Sequence, residues 1–316
     1  MRFLRFFTSE GDAHLGIKHH GRVLDVTLAA RRLSAGDIEN VTAFMAGNGE
    51  GHKQLEAIVA GVDSNEKLQR EVFITPEGLR LDAPLRDVRK LLALAGNYRQ
   101  HIVESGFKDV EETSRITPQV FMKPPSTCLT APGKPVFIRR ANVFVDWEIE
   151  LAVIIGRRGR DISREDAMDY VFGYTVLNDI SERNFNARMD NRKVREFDPF
   201  FDWLMGKWFD GFCPLGPEVV TADEIPDPHA LSIRLWVNGQ LMQDANTSQM
   251  IFGVPETISY ISQALTLEPG DILAMGTPAG VGKGRGISLK PGDVMRGEIE
   301  RIGVLETPVE LAGSAA

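Results

Sequence analysis

Short apolar runs separated by turn residues fill the first 85 residues of the chain. Their alternation predicts strands near the start, and apolar residues spaced three and four apart predict two helices after them. The predicted elements are strands over Arg2–Thr8, Ala13–Lys18 and Arg22–Thr27 and helices over Asp37–Ala46 and His52–Val62. Pro84 follows in an extended entry segment, so we place a domain boundary near residue 85, between residues 1–85 and 86–316.

The remaining residues carry more strand patterns than helix patterns. Asn238-Gly239 between two such runs predicts a type I′ hairpin, because this dipeptide supplies the positive φ angles of the turn. Ser163 and Asp166 have the spacing of a capping box and predict a short helix after them. Further strands are predicted over Pro135–Ile138, Phe144–Ile155, Tyr174–Leu177, Ser232–Val237, Gln240–Met242, Ile272–Met275 and Val294–Ile302, and a helix over Pro255–Leu265.

The segment Val145–Gly156 carries three carboxylates at alternate positions, Asp146, Glu148 and Glu150. Because side chains alternate faces along a strand, the three share one face, with neighbours roughly 7 Å apart. Such a cluster is tolerated where water screens it or where a hard divalent cation such as Mg²⁺ or Ca²⁺ occupies it. Asp179 follows the next predicted strand and is placed to complete a three-ligand site. An ordinary exposed strand face is the competing interpretation.

His101 and Glu104 lie three residues apart, so they share a face if residues 99–105 are helical. A carboxylate beside an imidazole fixes its tautomer and raises its basicity, which suits a general base near neutral pH. A surface pair is the alternative interpretation, and the spacing differs from the HExxH pattern of zinc enzymes.

Two other segments lack the pattern of a known catalytic motif. The glycine-rich stretch 276–286 has neither a Walker A nor a dinucleotide motif, so we predict a loop in which N–H groups and Thr277 hold a substrate oxygen. Cys213 has no neighbouring histidine and is predicted to be a buried structural thiol. The chain contains no GxSxG sequence, which argues against a serine-hydrolase elbow.

Composition limits the remaining classes of function. The 316 residues carry a net charge of −8 without basic blocks, which argues against nucleic-acid and anionic-membrane binding. No apolar stretch approaches the ~18 residues of a membrane span. The N-terminal apolar run is broken by Arg5 and is predicted to be a strand rather than a signal sequence. Two cysteines are too few for a disulfide framework, so we predict a cytoplasmic protein that acts on small molecules.

Six motifs in the second part of the chain occur in the order found in the fumarylacetoacetate hydrolase superfamily. They are Gly96-Asn-Tyr-Arg-Gln-His101-x-x-Glu104, Phe121-Met-Lys-Pro-Pro-Ser126, Asp146-x-Glu148-x-Glu150-Leu-Ala-Val, Gly173-Tyr-x-x-x-Asn-Asp179-Ile-Ser, Gly206-Lys207 with Cys213-Pro-Leu-Gly-Pro, and Gly276-Thr-Pro-x-Gly-Val-Gly282. The resemblance covers roughly residues 85–305, and the first 85 residues resemble the variable N-terminal domain of some members. It implies an α+β, β-rich fold: a mixed β-sheet roll that usually dimerises, with a small α/β N-terminal domain.

The resemblance also implies a metal site and a catalytic pair. Mg²⁺, Mn²⁺ or Ca²⁺ would be held by Glu148, Glu150 and Asp179. His101 and Glu104 would lie on a segment that acts as a lid in relatives and orders over the substrate.

Four further residues match family positions that contact the substrate. Lys207 falls where the family keeps a lysine beside the substrate carbonyl, and Arg183 falls where an arginine holds the substrate carboxylate. Thr277 lines the same pocket. Lys123 matches a lysine near the site.

The chain departs from the family in two places. Asn186 stands where members often have glutamine, and its side chain is one methylene shorter. Residues 184–205 form a longer segment that is heavily charged and aromatic, and it is predicted to border the pocket or the dimer face.

The resulting hypothesis is hydrolysis of a C–C bond in a small 2,4-dioxo acid, an acylpyruvate or a fumarylpyruvate-like compound, to pyruvate and a carboxylic acid. The divalent ion acts as a Lewis acid, His101 oriented by Glu104 activates water, and Lys207 stabilises the oxyanion. Decarboxylation of an oxaloacetate-like 2-oxo acid is the alternative reaction, since it needs the same site. A non-catalytic metal- or ligand-binding protein is the alternative of another class, although binding alone would need no general base.

Overall fold

The computed structural model describes residues 1–45, 50–106, 116–139, 144–186 and 189–313. Its strands are β1 (Arg2–Phe7), β2 (Ala13–His19), β3 (Arg22–Asp25), β4 (Phe73–Ile74), β5 (Leu81–Asp82), β6 (Leu91–Ala95), β7 (Gln119–Lys123), β8 (Leu129–Thr130), β9 (Val136–Ile138), β10 (Val145–Asp146), β11 (Ile149–Ile155), β12 (Val171–Asn178), β13 (Ser181–Glu182), β14 (Cys213–Thr221), β15 (Ser232–Val237), β16 (Gln240–Asn246), β17 (Ile272–Ala274), β18 (Val294–Ile299) and β19 (Gly303–Leu311). Its α-helices are α1 (Val26–Arg32), α2 (Glu50–Asp63), α3 (Glu66–Val72), α4 (Arg99–Glu104), α5 (Pro125–Cys128), α6 (Asp198–Gly206), α7 (Val254–Ala264) and α8 (Gly282–Arg285). Short 3-10 turns lie at Val41–Phe44, Ala167–Tyr170, Ala222–Glu224 and Thr247–Gln249.

Two sheets form the frame of the molecule. The larger sheet has the order β4-β3-β2-β1-β14-β12-β11-β17-β6-β7, and the smaller one has the order β16-β15-β18-β19-β9. Both are mixed, since β17 runs parallel to β6 and β9 runs parallel to β19. Side chains of β11 and β12 pack against those of β15, β18 and β19 in one core, while α1–α3 cover part of the other face of the larger sheet. The predicted α+β, strand-rich fold is confirmed.

The first 85 residues share the larger sheet with the rest of the chain. β1 pairs antiparallel with β14, so that Arg2 stands opposite Val220 and Phe3 opposite Val219. The Arg2 guanidinium also donates to the buried carboxylate of Glu218 at 2.6 Å. The boundary near residue 85 stays a prediction, and backbone hydrogen bonds of the sheet cross it.

Local capping explains two helices that the sequence patterns did not predict. The carboxylate of Asp25 accepts the N–H of Leu28 at 2.8 Å and begins α1, which therefore takes over the end of the strand predicted to reach Thr27. Asn65 caps α3 in the same way, accepting the N–H of Leu68. A side-chain acceptor at this position satisfies one of the N–H groups that the first turn leaves unpaired.

The helix predicted over Asp37–Ala46 is wrong: within the described residues, up to 45, only a 3-10 turn forms. The backbone carbonyls of Ile38 and Glu39 are taken by side chains from elsewhere, the Thr27 hydroxyl and the Arg5 guanidinium. Those contacts are incompatible with helical i to i+4 pairing. The second predicted helix is confirmed as α2.

Most later predictions are confirmed, with two shortened elements. The hairpin forms with Asn238 and Gly239 at φ 51° and 78°. After Ser163 the predicted helix is only a 3-10 turn, although the Ser163 hydroxyl does accept the N–H of Asp166 at 3.1 Å. Among the described residues, no helix combines the length and the apolar character that crossing a bilayer requires.

The strand predicted over Phe144–Ile155 is two strands. β10 pairs with β13, whereas β11 pairs with β12 and β17, and the chain changes partners at Trp147. The Asp146 carboxylate accepts the N–H of Trp147 at 2.8 Å, and the buried indole donates to the carbonyl of Gly280 at 3.1 Å. The break therefore separates Asp146 from the glutamates with which simple alternation had grouped it.

Candidate active site

Three buried carboxylates meet where β11 begins and β12 ends. These strands are antiparallel, with Ile149 opposite Asn178, and the N–H of Asp179 donates to the carbonyl of Glu148 at 2.8 Å. One oxygen each of Glu148, Glu150 and Asp179 lies within 4.8 Å of the others. All three side chains are buried, so the interpretation as an exposed polar face is wrong.

Two lysines hold the two oxygens of Asp179. Lys123, from β7, donates to Asp179 Oδ1, to the carbonyl of Phe212 at 2.7 Å and to that of Ile180 at 3.1 Å. Lys207, which caps α6, donates to Asp179 Oδ2 and to Glu148 Oε2, both at 2.6 Å. All three N–H groups of Lys123 are therefore used within the protein, whereas Lys207 uses two.

A close backbone approach places Lys207. α6 packs on β13, and a Cβ added at Gly206 would lie 2.0 Å from the carbonyl oxygen of Glu182. Only glycine permits this distance, because any side chain would push the end of α6 away from the carboxylates.

Arg183 links the carboxylate cluster to the glycine-rich loop. Its guanidinium donates to Asp146 Oδ2 at 2.9 Å and, through Nη2, to Glu148 Oε1. Asp146 also accepts the N–H groups of Gly282 at 2.5 Å and Lys283 at 3.0 Å. The carboxylate of Asp146 therefore fixes the start of α8 and the arginine together, a role that its place in the sequence did not reveal.

The charges in this cluster do not balance. Its four carboxylates exceed its three cations, and within the described chain Glu150 has no ion-pair partner; it accepts the N–H of Gly276 at 2.7 Å. Burial, together with the charges of Asp179 and Glu148, raises the pKa of Glu150 well above its ordinary value. Burial also opposes ionisation of Glu148, but Arg183 and Lys207 outweigh it and lower its pKa. One acidic group is thus left without a compensating charge.

These residues fit a divalent cation. The donor set consists of three carboxylates, which are hard oxygen ligands of the kind that Mg²⁺, Mn²⁺ and Ca²⁺ take. The buried hydroxyl of Tyr98 has no hydrogen-bond partner in the described chain, and burial together with the charge of Glu150 raises its pKa. Buried polar groups without partners are rare, and this one lies within electrostatic reach of the excess carboxylate.

The predicted catalytic pair lies on α4, as its spacing indicated. His101 Nδ1 is 3.7 Å from Glu104 Oε2, which is an ion-pair contact and too long for a hydrogen bond. Glu104 also accepts the N–H of Gly280 at 2.9 Å. Although burial opposes ionisation, His101 and this N–H lower the pKa of Glu104. The charge of His101 contributes to the lowered pKa of Glu148, so the imidazole lies near the cluster.

The remaining predicted residues lie in two places. The Thr277 hydroxyl accepts from Gln243 at 2.8 Å and adjoins Gly276, which bonds Glu150. The amide of Asn186 points instead to α6 and donates to Asp202 at 2.6 Å. The segment predicted to act as a lid is described only in part, since residues 107–115 lie outside the described ranges.

The family model for the C-terminal domain of fumarylacetoacetate (FAA) hydrolase matches residues 90–310. The chain belongs to this family and is an enzyme of it, as its motifs predicted.

Three similar proteins bear on the activity. The mitochondrial oxaloacetate tautomerase fahd2 of Xenopus laevis is 39% identical over 261 residues, which are 82% of this chain and 76% of that protein. The 2,4-didehydro-3-deoxy-L-rhamnonate hydrolase of Sphingomonas sp. strain SKA58 is 41% identical over 71% of this chain and 74% of its own. The crystal structure of maleylpyruvate hydrolase from Sphingobium sp. SYK-6, in complex with manganese(II) and pyruvate, has a TM-score of 0.72 at 29% identity and covers 99% of this chain and all of its own.

Proposed function

We propose that this enzyme hydrolyses a C–C bond of a small 2,4-dioxo acid, an acylpyruvate or a fumarylpyruvate-like compound, and releases pyruvate and a carboxylic acid. The observation that carries the proposal is the placement of His101 and Glu104 beside a buried cluster of carboxylates with one uncompensated charge. The maleylpyruvate hydrolase that shares the fold was crystallised with manganese and pyruvate, which supports this substrate class.

Glu148, Glu150 and Asp179 are the residues that we assign to the metal, with Mg²⁺ or Mn²⁺ preferred and Ca²⁺ as a third candidate. When bound, such an ion supplies Lewis-acid polarisation of a substrate carbonyl. Lys123 has all its donors occupied, so we assign it to holding Asp179 rather than to the substrate.

The protein's own groups account for the proton transfers. His101 takes a proton from water, and Glu104 keeps the imidazole oriented and charge-balanced as it becomes cationic. The water oxygen attacks C4 of the dioxo acid, and the third N–H of Lys207 donates to the developing oxyanion. The C3–C4 bond then breaks with its electron pair on the pyruvate fragment, which takes a proton at C3.

The substrate carboxylate is assigned to Arg183, whose named bonds use Nε and Nη2 and leave Nη1 as a donor. Thr277, beside the N–H that holds Glu150, lies next to the same space. Asn186 is engaged with α6, so we assign its effect on substrates to the position of that helix.

The test is pyruvate release from acetylpyruvate and fumarylpyruvate, followed with a coupled dehydrogenase, in Mn²⁺, Mg²⁺ or EDTA. We expect turnover with either ion and none in EDTA. His101→Gln should abolish turnover while calorimetry still records Mn²⁺ binding, because the imidazole is not a ligand in the assigned set. Equal rates in EDTA, or full activity of the variant, would refute the mechanism.

A second candidate is a reaction of oxaloacetate, which the name of the Xenopus laevis relative favours. Its keto–enol conversion needs only proton transfer at C3, and decarboxylation leaves an electron pair on the same fragment. Enol absorbance and pyruvate release from oxaloacetate, each against an enzyme-free control with the same metal, separate these reactions from hydrolysis.

The homodimer and the cytoplasmic location remain proposals. Supporting a dimer, the α6 region exposes a contiguous group of aromatic side chains, Phe197, Phe200, Phe201 and Trp208. Exposed apolar patches of this kind mark protein interfaces. Light scattering of the purified protein tests the dimer. The location rests on the two free cysteines, both buried, whereas the Xenopus laevis relative is named mitochondrial.

A further inference from the structure

Two aromatic rings flank the ammonium group of Lys207, and the proposed reaction does not account for them. Nζ lies 5.2 Å from the ring centroid of Phe121 and 5.7 Å from that of Trp203. The two rings contact each other edge to face, with centroids 4.9 Å apart and planes at 71°. Both distances from Nζ fall within the roughly 6 Å over which a cation is attracted to a ring.

The secondary structure supplies one ring and one lysine from each side of the site. Trp203 and Lys207 are four residues apart along α6 and its cap, so they share one helix face. Phe121 and Lys123 are two residues apart on β7 and both lie on its buried face. The long segment that departs from the family therefore reaches the site through Trp203.

The rings control what else the ammonium group can do. Two of its N–H groups are held at 2.6 Å by Glu148 and Asp179. A lysine side chain has many rotamers, and the two rings restrict them from the side opposite the carboxylates. Aromatic carbon also keeps water from that side without accepting a strong hydrogen bond, so the third N–H remains available to a substrate oxygen.

We propose that Trp203 is a positioning residue for Lys207, acting with Phe121 through cation–ring contact. This inference rests on the oxyanion role proposed for Lys207. Loss of the ring should then lower kcat and leave KM little changed, because the contact matters most when charge develops on the oxygen that Lys207 meets.

Trp203→Leu keeps apolar volume but has no aromatic face, whereas Trp203→Phe keeps one. We expect kcat to fall about tenfold in the leucine variant, equivalent to about 1.4 kcal/mol, and to recover most of that loss in the phenylalanine variant. Trp236→Leu is the matched control, since Trp236 stacks on Arg296 at 4.8 Å in the smaller sheet, away from the carboxylates. The control should leave kcat unchanged.

A readout independent of activity keeps this inference separate from the proposed function. In protein labelled with ¹³C-lysine, the ε-methylene signal of Lys207, assigned by its absence in Lys207→Met, should be shifted by ring current. It should move toward the position of an ordinary lysine in Trp203→Leu, less so in Trp203→Phe, and stay in Trp236→Leu. An unshifted wild-type signal, or equal kcat in the leucine and phenylalanine variants, would overturn the inference. A shifted signal in an enzyme without hydrolase activity would uphold the contact and refute the reaction.

Discussion

Replacing Glu150 by glutamine would remove the charge of this side chain while keeping its volume. Its ligand oxygen lies within 4.8 Å of those of Glu148 and Asp179. At an effective dielectric constant of about 20, two like charges at that distance repel by about 3 kcal/mol. Lys207 offsets part of this repulsion. The metal-free variant should therefore be more stable than the wild type, by about 1–3 kcal/mol.

In the presence of metal the sign should reverse. An ion that binds only the folded protein stabilises it by about 2.7 kcal/mol at one hundred times its Kd. The wild type should gain this amount on addition of Mn²⁺, and Glu150→Gln should gain almost none, because it lacks one of the three carboxylates. Scanning calorimetry in EDTA and in Mn²⁺ measures both differences. For a domain of 150–250 residues, 1 kcal/mol corresponds to roughly 2–4 °C in Tm, and somewhat less for a longer chain.

Glu310→Gln provides the matched control, since Glu310 is exposed on β19. It should leave both values within about 0.5 kcal/mol of the wild type. A Glu150→Gln variant that is less stable than the wild type in EDTA would show that the carboxylate is well accommodated without metal. A full response to Mn²⁺ in the variant would remove Glu150 from the ligand set.

Three further predictions concern the frame of the site. Gly206→Ala should lower kcat about a hundredfold in steady-state assays, because its Cβ would lie 2.0 Å from the carbonyl oxygen of Glu182 and shift the following lysine by about 1 Å. Asp146→Asn should lower the free energy of unfolding by about 3 kcal/mol in urea titrations, since it leaves a buried guanidinium partly unpaired. Glu104 has a lowered pKa, so its bond to Gly280 should persist above the ordinary carboxyl pKa and be lost as pH falls through the lowered value, which amide exchange corrected for intrinsic rate would report.

Each of these predictions has a control. Gly313→Ala should leave kcat unchanged, because its Cβ would meet no atom within 4 Å. Asp210→Asn removes an exposed carboxylate and should change the free energy of unfolding by less than about 1 kcal/mol. Glu104→Gln should remove the pH dependence of exchange. Wild-type kcat in Gly206→Ala, wild-type stability in Asp146→Asn, or pH-dependent exchange that survives in Glu104→Gln would each contradict the corresponding argument.

Elements whose cause is local could be predicted from the sequence. The hairpin at Asn238-Gly239 forms because those two residues adopt positive φ angles, and α7 forms on its own apolar periodicity. The helix predicted over Asp37–Ala46 failed because Thr27 and Arg5 take backbone carbonyls within it. A periodicity argument cannot see partners that lie 11 and 34 residues away in the chain.

The candidate site divides in the same way. The proximity of Glu148, Glu150 and Asp179 followed from strand alternation and from the end of the next strand, and it is confirmed. The role of Asp146 could not be predicted, since its partners Arg183 and Gly282 are 37 and 136 residues away. Strand alternation placed Asp146 with the glutamates, and the change of strand partner at Trp147 removes it from them.

The two lysines on Asp179 show why matching residue types to a family does not settle their roles. Both touch the same carboxylate, yet Lys123 spends its donors on Asp179 and two backbone carbonyls, while Lys207 bonds two carboxylates and faces two rings. An ammonium group has three donors, so Lys123 has none left for a ligand and Lys207 has one. The carbonyl that Phe212 offers to Lys123 directly precedes β14, the strand that carries β1 and the N-terminal residues. Lys123 therefore ties Asp179 to the larger sheet, and this fixed carboxylate is the reference against which α6 positions the lysine that meets the substrate.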